Sequence, residues 1–189
     1  MKKLLLFILL VCATVQAYSQ EYPKVVLSGD YPDPSVMRDG EDYYMTHSPF
    51  YYAPGFLIWY SRDLMNWEPV CRVMPEYEGS AMAPDLLKYK GKYYIYYPAK
   101  GTNWVIWAND IKGPWSKPID LKVSGIDPGH IADQEGNRYL YVDKGEVIRL
   151  TDERTGHHRP KTESVRRMAI SQPLGNRMYV SGIAEAELP

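Results

Sequence analysis

One supersecondary unit occurs three times in this chain, and that repetition constrains the fold more than any other feature. The first copy runs from Asp33-Pro34-Ser35 to Tyr43-Tyr44, the second from Pro84-Asp85 to Tyr93-Tyr94, and the third from Asp127-Pro128 to Tyr139-Leu140. Each sets an Asp beside a Pro, then a short strand, a tight turn with Gly, and a Tyr-rich strand. That pattern is a β-hairpin opened by an acidic residue. A second hairpin follows each one, beginning at Phe56–Tyr60, Trp104–Trp107 and Glu146–Leu150. The aspartates at 63, 110 and 152 recur at intervals of 47 and 42 residues. Four short strands every ~40–45 residues is the signature of β-propeller blades. The competing fold is a β-sandwich built from similar hairpins. No segment before residue 150 carries a helical apolar period, which leaves an all-β chain.

Composition agrees with sheets. The 17 tyrosines and 5 tryptophans outnumber 3 phenylalanines, so most rings carry a polar handle suited to half-buried or sugar-facing surfaces. A formal net charge of −1 offers no field for nucleic acid or anionic lipid. Residues 1–20 read as an export signal: Lys2 and Lys3, then an apolar run from Leu4 to Val11, then Val15-Gln16-Ala17 as a cleavage pattern. That run is shorter than the ~20 residues of a membrane span. A periplasmic or extracellular location is expected, and Val11 beside Cys12 is bulkier than a lipoprotein box usually accepts. With the signal removed, Cys71 stands alone and no intrachain disulfide can form.

Residues at the start of each innermost strand should converge at one end of a propeller's channel. Asp33, Asp85 and Asp127 are expected at equivalent starts, with Pro34, Pro84 and Pro128 limiting the backbone beside each. For a single copy, Asp before a hairpin is ordinary turn chemistry. Three aligned copies point instead to a site, because converging carboxylates shift one another's protonation.

Several motifs together resemble glycoside hydrolase family 43: Gly29-Asp30-Tyr31-Pro32-Asp33-Pro34-Ser35, the Asp-Gly turn at 39–44, Ser61-Arg62-Asp63-Leu64 with Asn66-Trp67, Ala83-Pro84-Asp85, and Gly125-Ile126-Asp127-Pro128. The resemblance covers residues 22 to about 152. It implies a five-bladed propeller, of which about three blades are present over residues 21–152. It also implies inverting hydrolysis of arabinofuranosides or xylosides of plant oligo- or polysaccharides, with no cofactor. By position, Asp33 matches the general base and Asp127 the residue that orients and tunes the general acid. Asp85 is a candidate for substrate binding. Met82 departs from the Trp often found before Ala-Pro, which blurs the sugar platform. Inverting chemistry needs two carboxyls roughly 6.5–9.5 Å apart with a water between. The acid should be a Glu opening a later blade, and no such Glu is found; Glu185 and Glu187 lack the following strand and turn.

From Glu153 the blade pattern stops, and residues 153–189 are expected to be a non-homologous tail. Read one base on, Met168-Ala169 forces Trp and Met178-Tyr179 forces Cys, and the other junctions permit Leu-Glu-Ser-Pro-Lys-Leu. The family carries its acid Glu in that kind of segment. A frameshift near Asp152–Glu153 is therefore the expectation, and weak or no activity follows from it. The alternative function is a non-catalytic sugar-binding propeller fragment. A glycoside phosphorylase would need a basic phosphate site, which residues 22–150 lack. No metal ligands are apparent: His47 and His130 stand apart, as structural groups or sugar hydrogen-bonders, and His157-His158 is a surface pair.

Overall fold

The computed structural model describes residues 24–77 and 79–150, with the backbone of 163–164. The expected export signal and most of the expected tail lie outside the described residues. Among the described residues twelve strands form three antiparallel sheets. The first holds β1 (Ser35–Asp39), β2 (Asp42–Thr46), β3 (Gly55–Ser61) and β4 (Glu68–Met74) in that order. The second holds β5 (Asp85–Tyr89), β6 (Lys92–Ala99), β7 (Thr102–Ala108) and β8 (Ile119–Val123). The third holds β9 (Gly129–Ala132), β10 (Arg138–Val142), β11 (Glu146–Leu150) and β12 (Glu163–Ser164). The described residues contain no helix beyond one 3-10 turn at Asp143–Gly145. Each sheet is an up-and-down blade, and the inner strands β1, β5 and β9 lie side by side.

Period-two alternation explains why the middle blade is so rich in tyrosine. Its strands are buried on both faces. Tyr93, Ile95, Tyr97 and Ile106 pack toward the first blade with Phe56 and Ile58. Tyr96 and Val105 pack toward the third with Leu140 and Ile148. Alternate residues of one strand thus serve two different cores. The tyrosine hydroxyls then reach polar groups at the blade margins. Tyr93 Oη donates to Asp39 at 2.6 Å and Tyr89 Oη to the Gly136 carbonyl at 3.0 Å. Lys88 joins Asp39 at 2.7 Å.

The periodic aspartates have a local explanation. Asp63 closes the turn between β3 and β4, accepting from the Met65 and Asn66 amides at 2.8 Å and from Asn66 Nδ2 at 2.6 Å. These donors hold its carboxyl far below the usual carboxylate range. Asp110 does the same more simply, accepting from the Lys112 amide at 2.8 Å. Asp152 lies outside the described residues. The stretch 61–67, adjoining β3 in the sequence pattern, is mostly this turn.

Candidate active site

The prolines, rather than the acids, set the alignment of the three blades. Pro34, Pro84 and Pro128 each directly precede an inner strand, and the residue before each is left-handed: Asp33 at φ 51°, Ala83 at φ 37° and Asp127 at φ 52°. A residue before proline is disfavoured in helical conformations, and a non-glycine left-handed residue carries strain of ~1–3 kcal/mol. Asp tolerates that region better than most residues. The same strained position, repeated three times, presents a side chain at one end of the inner strands. Asp33 and Asp127 occupy it, both exposed, and Ala83 fills it in the second blade.

Asp85 is therefore not equivalent to Asp33 and Asp127. It lies on the other side of its proline, as the first residue of β5, where β1 has Ser35 and β9 has Gly129. There it belongs to a repeated link between blades. Ser35 Oγ accepts from the Leu86 amide at 2.9 Å, and Asp85 Oδ2 accepts from the His130 amide at 2.7 Å. In each case the first residue of one inner strand takes the N–H of the second residue of the next.

A clasp also recurs one residue before the strained position. The Ser48 amide donates to Pro32 O at 2.9 Å, Met82 to Pro98 O at 3.3 Å, and Asp143 to Ile126 O at 2.9 Å. The Asp143 carboxylate accepts from the Ile126 amide at 2.8 Å, doubling the clasp next to Asp127. Ser48 goes further: its hydroxyl donates to Asp33 Oδ2 at 2.5 Å and accepts from the Ala83 amide at 2.6 Å. A cavity of about 300 Å³ opens beside it, with Asp30, Tyr31, His47, Phe50, Tyr52 and Arg72 in its wall.

Both histidines are built into the packing. His47 is buried, edge-on to Tyr31 at 4.8 Å, and burial lowers its basicity. His130 stacks on Tyr96 at 5.6 Å, and its Nε2 takes a hydrogen bond from Arg138 Nε at 3.0 Å. Guanidinium only donates, so Nε2 is the unprotonated nitrogen of His130. Arg138 is itself buried, donates to Tyr96 Oη at 2.5 Å, and lies over the Tyr89 and Tyr94 rings at 4.8 and 4.5 Å. Neither Arg138 nor Ser48 stands out in the sequence, because each acts through partners far away along the chain. Among the described residues no group of three or more His, Cys, Asp or Glu is placed to hold a metal.

Burial pushes the Asp85 carboxyl up to about 6, partly opposed by the His130 amide. Between pH ~4 and 6 the folded chain holds a proton there that the unfolded chain has released. This contribution to stability is complete below pH ~4 and is lost as pH rises through 6. Asp85→Asn keeps an acceptor for His130 and removes the buried charge. Urea unfolding should find it about as stable as the parent at pH 4 and ~2–3 kcal/mol more stable at pH 8. A gap that does not change with pH would contradict this.

Four-stranded blades with adjoining inner strands, clasped at one end around acidic residues, define a β-propeller protein. The chain belongs to the glycosyl hydrolases family 43, whose sequence profile matches residues 22–169. It is 34% identical over 136 residues to a xylan 1,3-β-xylosidase of a Vibrio species, covering 61% of this chain and 25% of that protein. It is 28% identical over 202 residues to a non-reducing end α-L-arabinofuranosidase of Bacteroides ovatus, covering 95% of this chain and 37% of that protein. Among solved structures, the GH43 protein BlXynB of Bacillus licheniformis superposes with a TM-score of 0.63 at 32% identity, covering 70% of this chain and 31% of that one. The chain thus spans about a quarter of the length of the Vibrio relative.

Proposed function

We propose that this chain carries the base-bearing part of an inverting glycoside hydrolase acting on β-xylosides or α-arabinofuranosides of plant-type oligo- or polysaccharides. The observation that carries the reading is the pair Asp33 and Asp127 on the same strained, pre-proline position of the first and third blades. Strain retained at a repeated position, and filled with carboxylates, marks groups held for chemistry. Asp33 is the general base that activates water, and Asp127 orients and tunes the acid. Asp85, one position inside its strand, offers its second carboxylate oxygen to sugar hydroxyls. The names of the Vibrio and Bacteroides relatives support this substrate class.

The general acid is the missing partner. None of the described glutamates opens an inner strand: β1, β5 and β9 begin with Ser35, Asp85 and Gly129. The 189-residue chain is accordingly weak or inactive on natural glycosides. Residues 1–20 direct export to the periplasm or beyond and residues 21–152 form most of the incomplete propeller; a frameshifted tail over residues 153–189 has against it that β12 at Glu163–Ser164 completes the third sheet and that the family profile runs on to residue 169. Sequencing the gene downstream of codon 152 tests the last point, and a shifted frame without a Glu codon would end it.

The reaction class is tested by incubating the chain with aryl xyloside and arabinofuranoside and following the first-formed anomer by NMR. At most weak hydrolysis is expected, with inversion and lost in Asp33→Ala; strong turnover would overturn the absence of the acid, and retention would overturn the inverting class. Sugar binding without hydrolysis that survives Asp33→Ala and Asp127→Ala would favour a non-catalytic binding module.

A further inference from the structure

The geometry points to Ser48 as the positioning residue of the base, holding Asp33 in one orientation and tying it to the second blade. The argument begins with proton count. Ser48 Oγ lies 2.6 Å from the Ala83 amide and 2.5 Å from Asp33 Oδ2. A backbone N–H can only donate, so it takes an acceptor site on the hydroxyl. The single hydroxyl proton must then point at the carboxylate, which when ionised can only accept. Ser48 is 3% exposed, so water does not compete for either bond.

The result is a one-way relay, from Ala83 amide to Ser48 hydroxyl to Asp33 carboxylate. Hydrogen bonds in such a chain polarise one another, and the one to the ionised group is the stronger. Pro32 and Pro34 flank Asp33 and fix its backbone, leaving the side-chain torsions as its main freedom. The Ser48 bond selects among them. Among the described residues no hydrogen bond falls on Asp33 Oδ1, which leaves that oxygen for an attacking water. The Ser48 main chain clasps Pro32 at the same time, so one residue fixes both the backbone approach and the carboxylate plane. The second blade reads the state of the base through Ala83, its own left-handed residue.

This role rests on the assignment of Asp33 as base, and the test separates the two. The Ala83 amide proton is followed by NMR in the full chain, in Ser48→Ala, in Asp33→Asn, and in the double variant. Each single substitution should move it upfield, and Asp33→Asn should add nothing once Ser48 is gone. An Asp33→Asn shift of equal size with and without the Ser48 hydroxyl overturns the relay. If Ser48→Ala does not fold, an Ala83 amide unmoved in Asp33→Asn alone overturns it as well. In turnover of a dinitrophenyl glycoside, Ser48→Ala should lower kcat about tenfold with KM unchanged, as expected for a misoriented base. A normal kcat removes the positioning role. Turnover that ignores Asp33→Asn instead removes Asp33 as base, while the shift cycle still decides the relay.

Discussion

Asp33→Asn is expected to lower hydrolysis of dinitrophenyl xyloside or arabinofuranoside by about 10²–10⁴-fold, the usual contribution of a positioned general base. The choice of substrate follows from the proposal that the general acid is absent from this chain. A dinitrophenolate leaves without protonation, so a site holding only the base can turn such a substrate over. An alkyl or sugar leaving group needs the proton, and the described residues place no glutamate at an inner-strand start to supply it. The chain should therefore act on the activated glycoside and barely on a xylo- or arabino-oligosaccharide. Asn suits the test because it accepts the left-handed backbone at φ 51° and still offers Ser48 an acceptor. Only the proton-accepting charge is removed. Stopped assays comparing the two proteins on both substrate types check this. Equal turnover by Asp33→Asn would show that the base lies elsewhere.

The hairpins were legible in the sequence because their determinants are local. Asp39-Gly40 and Lys90-Gly91 turn the chain, and alternating residues on either side declare the strands. Each β1–β2 and β5–β6 pairing follows from a few adjacent positions. The alignment of the acids was less legible. Asp85 adjoins Pro84 as Asp33 adjoins Pro34, so proximity suggested equivalence. The strand register counts from proline, and by that count Asp85 matches Ser35. One residue's difference across a proline moves a side chain from the exposed strained corner onto the partly buried start of a strand.

The recurring Asp63 and Asp110 show the opposite case. Their spacing suggested a common feature, and they share one, but it is turn closure. Periodicity identified the repeat without revealing what each repeated residue does. Ser48 and Arg138 could not be assigned from the sequence at all, and His130 reads there only as a structural group or a sugar hydrogen-bonder. Their hydrogen-bond partners lie 8 to 45 residues away along the chain, and the packing of blade against blade brings most of them together. The blades are stitched at both ends of their inner strands, by Ser35 and Asp85 at one and by Asp39 and Tyr89 at the other. A site that needs groups from different blades depends on those links as much as on the groups.

Phe56→Ala should cost about 3–5 kcal/mol, enough to remove much of the stability of a typical domain. Phe56 is fully buried between the first and second blades, edge-on to Tyr97 at 4.8 Å, among Ile58, Ile95 and Ile106, which are also fully buried. Its loss removes apolar area from the core and leaves a cavity walled by two different blades, which cannot collapse without shifting one against the other. The backbone adds a second expectation. Phe56 is left-handed at φ 49°, a conformation that costs a non-glycine residue ~1–2 kcal/mol and glycine almost nothing. The native ring offsets that strain, whereas alanine keeps the strain and loses the ring. Phe56→Gly should therefore be more stable than Phe56→Ala by about 1 kcal/mol, the reverse of the order usual inside a strand. Urea unfolding of the parent and both variants measures each difference. Alanine outranking glycine would mean that the left-handed backbone at 56 relaxes once the ring is gone, and that the ring holds the strain in place.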